Sequence, residues 1–258
     1  ETETDIGVVQ GVLRQTRMAI DQFAADAHRQ EYLVRLAGRT LELARRSEPE
    51  SDRQLAFTRS FAGAARTPEH LATVAALLDG TEQWDGLVID TDLRWFLLLQ
   101  LVSAGLRGND EIATELASDD TATGRRQAAT ARASVPTAEA KHWAWDEIFH
   151  NADLPNAMLE ATIAGFADRD HCDLTDAYLE RYFDALPGVW AERTMEIAQS
   201  ITMGLFPTYS VEDSTIDRAD RFLALDPSPA LARLVAEGRD GLLRAQRARA
   251  RDTDSAAN

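Results

Sequence analysis

Five histidines, one cysteine and 43 acidic side chains are the groups of this 258-residue chain with the means to do chemistry. A zinc hydrolase helix needs His-Glu-x-x-His, because residues four apart share a face and can grip one ion while the glutamate activates water. Here His28, His70, His142, His150 and His171 are followed by Arg29, Leu71, Trp143, Asn151 and Cys172, so no such helix is encoded. His171-Cys172-Asp173 sets three ligand types side by side. Adjacent helical residues point in different directions, so the triplet reads as a loop or first turn. His142 and His150 lie about two helical turns apart, too distant to chelate one ion without a third element. There is no G-x-S-x-G elbow and no phosphate loop, and Cys172 has no evident base partner to activate it. Gly105-Leu106-Arg107-Gly108 is a helix end and a turn, and Asp119-Asp120 reads as charge at a helix N-terminus rather than an acid and base pair. The expectation is a chain with no catalytic residue, no metal site and no cofactor of its own.

The elements around these residues are helical. Val9, Leu13, Ile20, Phe23 and Ala27 form one apolar stripe at steps of three and four, and Leu33, Leu36, Ala37, Leu41 and Ala44 the next. No alternating β pattern of useful length occurs. Thr67-Pro68 and Ser228-Pro229 read as a cap followed by proline at the first helical position, with Gly80 closing the first of these helices. Asn156 and Ser214 are further candidate caps, and Pro136 a further start. The signals predict about a dozen helices joined by short turns. The fold expected is all-α, antiparallel helix hairpins stacked into a degenerate superhelix of the HEAT or armadillo sort. Residues 1–251 read as a single domain with a possible hinge at 80–91, a second interruption at 205–213, and a frayed polar tail at 252–258. Trp95, Trp143, Trp145 and Trp190 fall within apolar stripes and are expected to pack between helices. Lys141 and Trp145, four apart, can pair by laying the lysine along the indole.

Charge excludes some partners. Lys+Arg 27 against Asp+Glu 43 gives −16, which repels phosphate backbones and anionic lipid, so nucleic-acid and membrane-surface binding are disfavoured. The most apolar stretch, Trp95 to Leu99, falls far short of the roughly 20 residues that span a bilayer. Lys141 is the only lysine, so nearly all positive charge sits on guanidinium groups suited to bidentate carboxylate contacts. The arginines Arg239, Arg244, Arg247, Arg249 and Arg251 read as a solvated face at the end of the last helix. A single cysteine, Cys172, excludes an internal disulfide and fits a reducing, cytoplasmic setting. Position 1 is Glu and the first methionine is Met18, so the chain reads as a piece of a longer protein.

Three segments carry a resemblance: Asp92-Leu93-Arg94-Trp95 running on to Leu101 and Gly105; Asp120 to Arg126 through Pro136, Lys141 and Trp145; and Val189-Trp190, Arg193, Glu196-Ile197-Ala198 and Gly204 to Pro207. Their order and spacing resemble the C-terminal helical domain of bacterial zinc aminopeptidases of the aminopeptidase N family. In that family the zinc helix and the motif that recognises the peptide amine sit in an earlier domain, so no catalytic residue carries over; Met195-Glu196 lacks the upstream glycine pattern. The resemblance implies a non-catalytic lid that closes over the catalytic domain of the same polypeptide, encloses a chamber and limits which peptide substrates enter, with zinc held by the parent alone. Arg94, Arg125 and Arg126 are the candidates for meeting a peptide carboxylate; the competing reading is pairing within their own helices. A different reading of the whole chain is a free-standing helical-repeat scaffold that binds protein partners on its concave face.

Overall fold

Side-chain oxygens start half of the fourteen α-helices among the described residues. Asp5, Ser51, Thr67, Asp90, Thr121, Thr137 and Thr194 each accept a hydrogen bond from a backbone N–H three residues on, satisfying a donor the helix itself leaves orphaned. The resulting computed structural model describes Glu3 and residues 5 to 256. No strand occurs among them, and the all-α expectation holds.

The chain divides into two compact units: residues up to Arg107 together with those from Arg251 on, and Gly108–Ala250. The first holds α1 (Ile6–Phe23), α2 (Asp26–Arg46), α3 (Asp52–Ala64), α4 (Pro68–Leu78) and α5 (Thr91–Ser103). Consecutive helices fold onto each other, α2 against α3 across a short turn and α4 against α5 across the longer segment 79–90, with α1 against both α2 and α3. Val9, Ala44 and Phe57 form one apolar contact among α1, α2 and α3, with Leu13 and Trp84 packed on it.

The second unit holds α6 (Asn109–Ser118), α7 (Ala122–Ser134), α8 (Ala138–His150), α9 (Asn156–Phe166), the one-turn α10 (Cys172–Thr175), α11 (Leu179–Glu192), α12 (Met195–Gly204), α13 (Asp213–Leu223) and most of α14 (Pro229–Ala256). Its core joins Trp145, Ile148, Leu159, Phe183, Ile201 and Phe222, among others. Helices α7 and α9 approach closely because their facing residues are small. A Cβ on Gly165 would run into the Thr130 carbonyl and lie 2.8 Å from the Ala133 Cβ. Thr130 Oγ1 donates to the Ala161 carbonyl across that seam at 2.9 Å.

Several expectations need correction. Within the stretch expected as one domain over 1–251, the contacts cluster into two compact units that divide at Arg107–Gly108. The segment 80–91 is pinned inside the first unit: Glu82 N–H donates to the Ala76 carbonyl at 3.1 Å, Gln54 Nε2 to the Asp85 carbonyl at 2.8 Å, and Gly86 at φ 73° lies against Pro49 and Glu50. The stretch from 252 is not frayed as far as 256, since α14 runs to Ala256 and Asp252 accepts from the Ala25 backbone N–H at 2.8 Å and the Tyr32 hydroxyl at 2.9 Å; 257 and 258 lie outside the described residues. Pro155 and Glu212, not Asn156 and Ser214, occupy the N-cap positions of α9 and α13, and Thr137 rather than Pro136 caps α8. Trp95 and Trp145 are buried as expected, whereas Trp143 is exposed.

Candidate functional site

Arg94 projects from α5, half-buried, and its Nη1 donates to the Leu78 carbonyl at 3.2 Å. It lines a cavity of about 250 Å³ in the first unit, walled by Leu77, Leu78, Leu87, Ile89 and Trp84 with Glu82 at its edge. Glu82 is held as a carboxylate: Trp84 Nε1 donates to it at 2.6 Å and Arg45 pairs with it at 2.9 Å, and these bonds pull its pKa below the ordinary value against the opposing effect of burial. The arrangement offers apolar walls, one guanidinium and one carboxylate, a set suited to binding an amphipathic chain end rather than to bond-breaking.

Arg125 and Arg126 lie on the exposed face of α7 in the second unit. Arg125 Nε donates to Asp120 Oδ1 at 2.8 Å, and Arg126 Nη2 to Thr123 Oγ1 at 3.0 Å, so both have local partners. Arg94 thus lines a cavity of the first unit, while Arg125 and Arg126 are exposed on α7 of the second.

A second cleft, of about 60 Å³ and within the second unit, was not anticipated. Trp145 and Tyr182, 3% and 2% exposed, form its floor, and Tyr178, Phe206 and Tyr209 its sides. Trp145 stacks on Phe149 at 4.1 Å and stands 4.9 Å from Tyr178, while the Tyr182 hydroxyl donates to the Thr202 carbonyl at 2.7 Å. Asp168 and Asp176 bring carboxylates to the wall. Burial, then the nearby Glu212 and Asp173 carboxylates, push the Asp176 carboxyl above its ordinary pKa, with Arg218 opposing. Of these rings the sequence singled out only Trp145, as a packing residue; the fold-back of 167–178 and 205–210 brings the others to it.

Beside this cleft Lys141 is 0% exposed, and its Nζ donates to the carbonyls of Ala133 at 2.7 Å, Gly165 at 3.1 Å and Phe166 at 3.3 Å. It joins the C-terminal ends of α7 and α9, satisfying carbonyls that the helices leave open. Lys141 Nζ stands 5.8 Å from the Phe166 ring centre, and the indole of Trp145 carries Arg181 at 4.9 Å.

Zinc does not fit the side chains present. Among the described residues no group of three or more His, Cys, Asp or Glu could hold a metal ion. His142 and His150 both lean on Asp146, at 3.3 and 3.9 Å, and all three sit on the outer part of α8. His171 and Cys172 occupy successive short turns, and the Cys172 thiol donates to the Arg169 carbonyl at 3.1 Å. No helix among the described residues is long and apolar enough to cross a membrane.

With this architecture in view, the chain matches the family model of the ERAP1-like C-terminal domain over residues 1–244. It is 50% identical over 255 residues to a protein named Aminopeptidase N from Streptomyces lividans. That alignment takes in 98% of this chain but 30% of the relative, so the chain spans less than a third of the protein it matches. Two units of capped, short-looped helices with this match across nearly their whole length mean that the chain belongs to the ERAP1-like C-terminal domain family.

Proposed function

We propose that this chain is the non-catalytic C-terminal part of a zinc-dependent aminopeptidase, which encloses the active-site chamber of its parent and helps to select the peptides that enter. The observation that carries the reading is the 50% identity over 98% of the chain to an Aminopeptidase N of which it spans 30%. The helical hairpins and the lack of a metal-holding group among the described residues suit a covering role. The proposed partners are the catalytic domain of the same polypeptide and peptide substrates, and the zinc chemistry belongs to that other domain. Within the chain, the Arg94 cavity is the proposed contact for a peptide carboxylate.

The test is to delete the region corresponding to this chain from a full-length parent. Hydrolysis of a single aminoacyl anilide and of eight- to twelve-residue peptides, each normalised to bound zinc, is then measured. Loss of the length discrimination between peptides is expected. Unchanged kinetics on both substrate classes would refute the enclosing role and leave the scaffold reading in its place.

A further inference from the structure

The aromatic cleft of the second unit is lined in part by the carboxylate of Asp176. Asp176 forms no hydrogen bond or ion pair through its side chain among the described residues, and Arg218, whose charge acts on it, pairs directly with Glu180 at 2.9 Å. Around it, Asp173 and Glu212 add negative potential and Asp168 lines the same wall. Carboxylates that repel one another in a partly desolvated site favour a cation there. The rings complete the preference, since the faces of Trp and Tyr attract guanidinium and ammonium groups. The fold already uses that attraction on this group of rings. Arg181 stands 4.9 Å from the Trp145 ring centre and 5.1 Å from that of Tyr178, and Arg169 stands 5.6 Å from that of Tyr209. Arg218, the cation that acts on Asp176, is shared with Glu180, so the acidic groups here outnumber their counter-charge.

Size narrows the ligand. A volume of about 60 Å³ is several times the roughly 10–15 Å³ that admits one water on the same measure. That is room for the head of an arginine or lysine side chain and not for a whole residue. A bare metal ion is disfavoured by the apolar walls, which supply few oxygen ligands for a hard cation.

We propose that this cleft receives the cationic end of a basic side chain carried by a peptide. That the carrier is a peptide rests on the function proposed above; the preference for an organic cation does not. The site would make the chain sensitive to a basic residue at a fixed place in the peptide, which is a selection by sequence additional to any selection by length.

The test uses the chain itself and no peptidase readout, so its failure is separable from failure of the enclosing role. An N-acetylated octapeptide with one arginine is titrated against the same peptide carrying citrulline, a neutral isostere, while backbone amide shifts are followed by NMR. Ethylguanidinium and N-ethylurea form the matched free pair. The arginine peptide is expected to bind at least tenfold more tightly than the citrulline peptide and to shift the amides of Asp176, Tyr178 and Thr208. Asp176→Asn should weaken it about tenfold, and Asp153→Asn, at an exposed site outside the cleft, should not. Equal binding of the two peptides, shifts elsewhere only, or an unaffected Asp176→Asn variant would overturn the proposal. So would binding of ethylguanidinium without binding of the arginine peptide, which would mark a site for a small free cation.

Discussion

Replacing Lys141 by methionine keeps an unbranched side chain one heavy atom shorter and removes its three donors, so it isolates what the buried ammonium does. Hydrogen bonds from an ionised group contribute about 1.5–3 kcal/mol each, and three of them about 4–9 kcal/mol gross. Against this stands the cost of burying the charge. Burial pulls the Lys141 pKa from 10.5 down to about 8, with Asp168 acting in the opposite direction, and that fall corresponds to about 3 kcal/mol. The donors outweigh the charge, because the carbonyls of Ala133, Gly165 and Phe166 would lose the donor that now serves all three. Lys141→Met should therefore lose about 3 kcal/mol, read by urea unfolding at pH 7 and 25 °C with circular dichroism. A loss under about 1 kcal/mol, or a gain, would refute the view that this ammonium ties α7 to α9. The pH dependence adds a second check. A folded pKa below the unfolded one means that the unfolded chain binds more protons between about 8 and 10.5. The stability of the unsubstituted chain relative to Lys141→Met should then rise with pH through that window, and a flat difference would contradict the depressed value.

Gly165→Ala should cost about 1–3 kcal/mol and lower Tm, because a Cβ meets the Thr130 carbonyl and Ala133 where α7 and α9 approach; an unchanged Tm would show that the seam can part freely. Burial alone would raise the Asp252 pKa, but the Ala25 N–H, His28 and Tyr32 outweigh it and hold the carboxyl below its ordinary value. With the folded pKa depressed, this contribution is present above the unfolded value and lost as pH falls through the folded one. Asp252→Ala should accordingly speed hydrogen exchange at the Ala25 amide at pH 7; equal exchange at pH 7 would contradict the anchoring. In a full-length parent, Arg94→Ala should raise the KM for peptides and leave hydrolysis of an aminoacyl anilide unchanged, and an unaltered peptide KM would remove Arg94 from substrate contact.

Helix identity was legible because it is written locally. Thr67-Pro68 does start α4, Gly80 does follow its end at φ 74°, and α14 does begin at Pro229 after Ser228. Where the reading slipped, a neighbour one or two positions away did the capping, as with Thr137 beside Pro136. The close seam of α7 and α9 depends on Gly165 facing Thr130, a pairing 35 residues apart that no periodicity encodes. The same holds for the end of α14. Asp252 reads as part of a polar tail until the fold sets it against Ala25 and Tyr32, more than 200 residues earlier. Arg94, Arg125 and Arg126 looked alike as guanidinium groups on helices; only burial beside Leu78 and Trp84 separates the first from the other two. The aromatic cleft was hidden for a related reason. Its rings come from separate helices and turns, and each one in isolation is an ordinary packing residue.

The burial of Lys141 also fixes the chemical reactivity of the surface. Because it is the only lysine and is fully enclosed, the folded chain presents no ε-amine to its surroundings. Acetylation, isopeptide tagging and amine-directed crosslinking have no lysine to reach, and guanidinium groups, which stay protonated, do not substitute as nucleophiles. A lysine adduct on this chain would thus be a direct chemical record that the joint between α7 and α9 had opened.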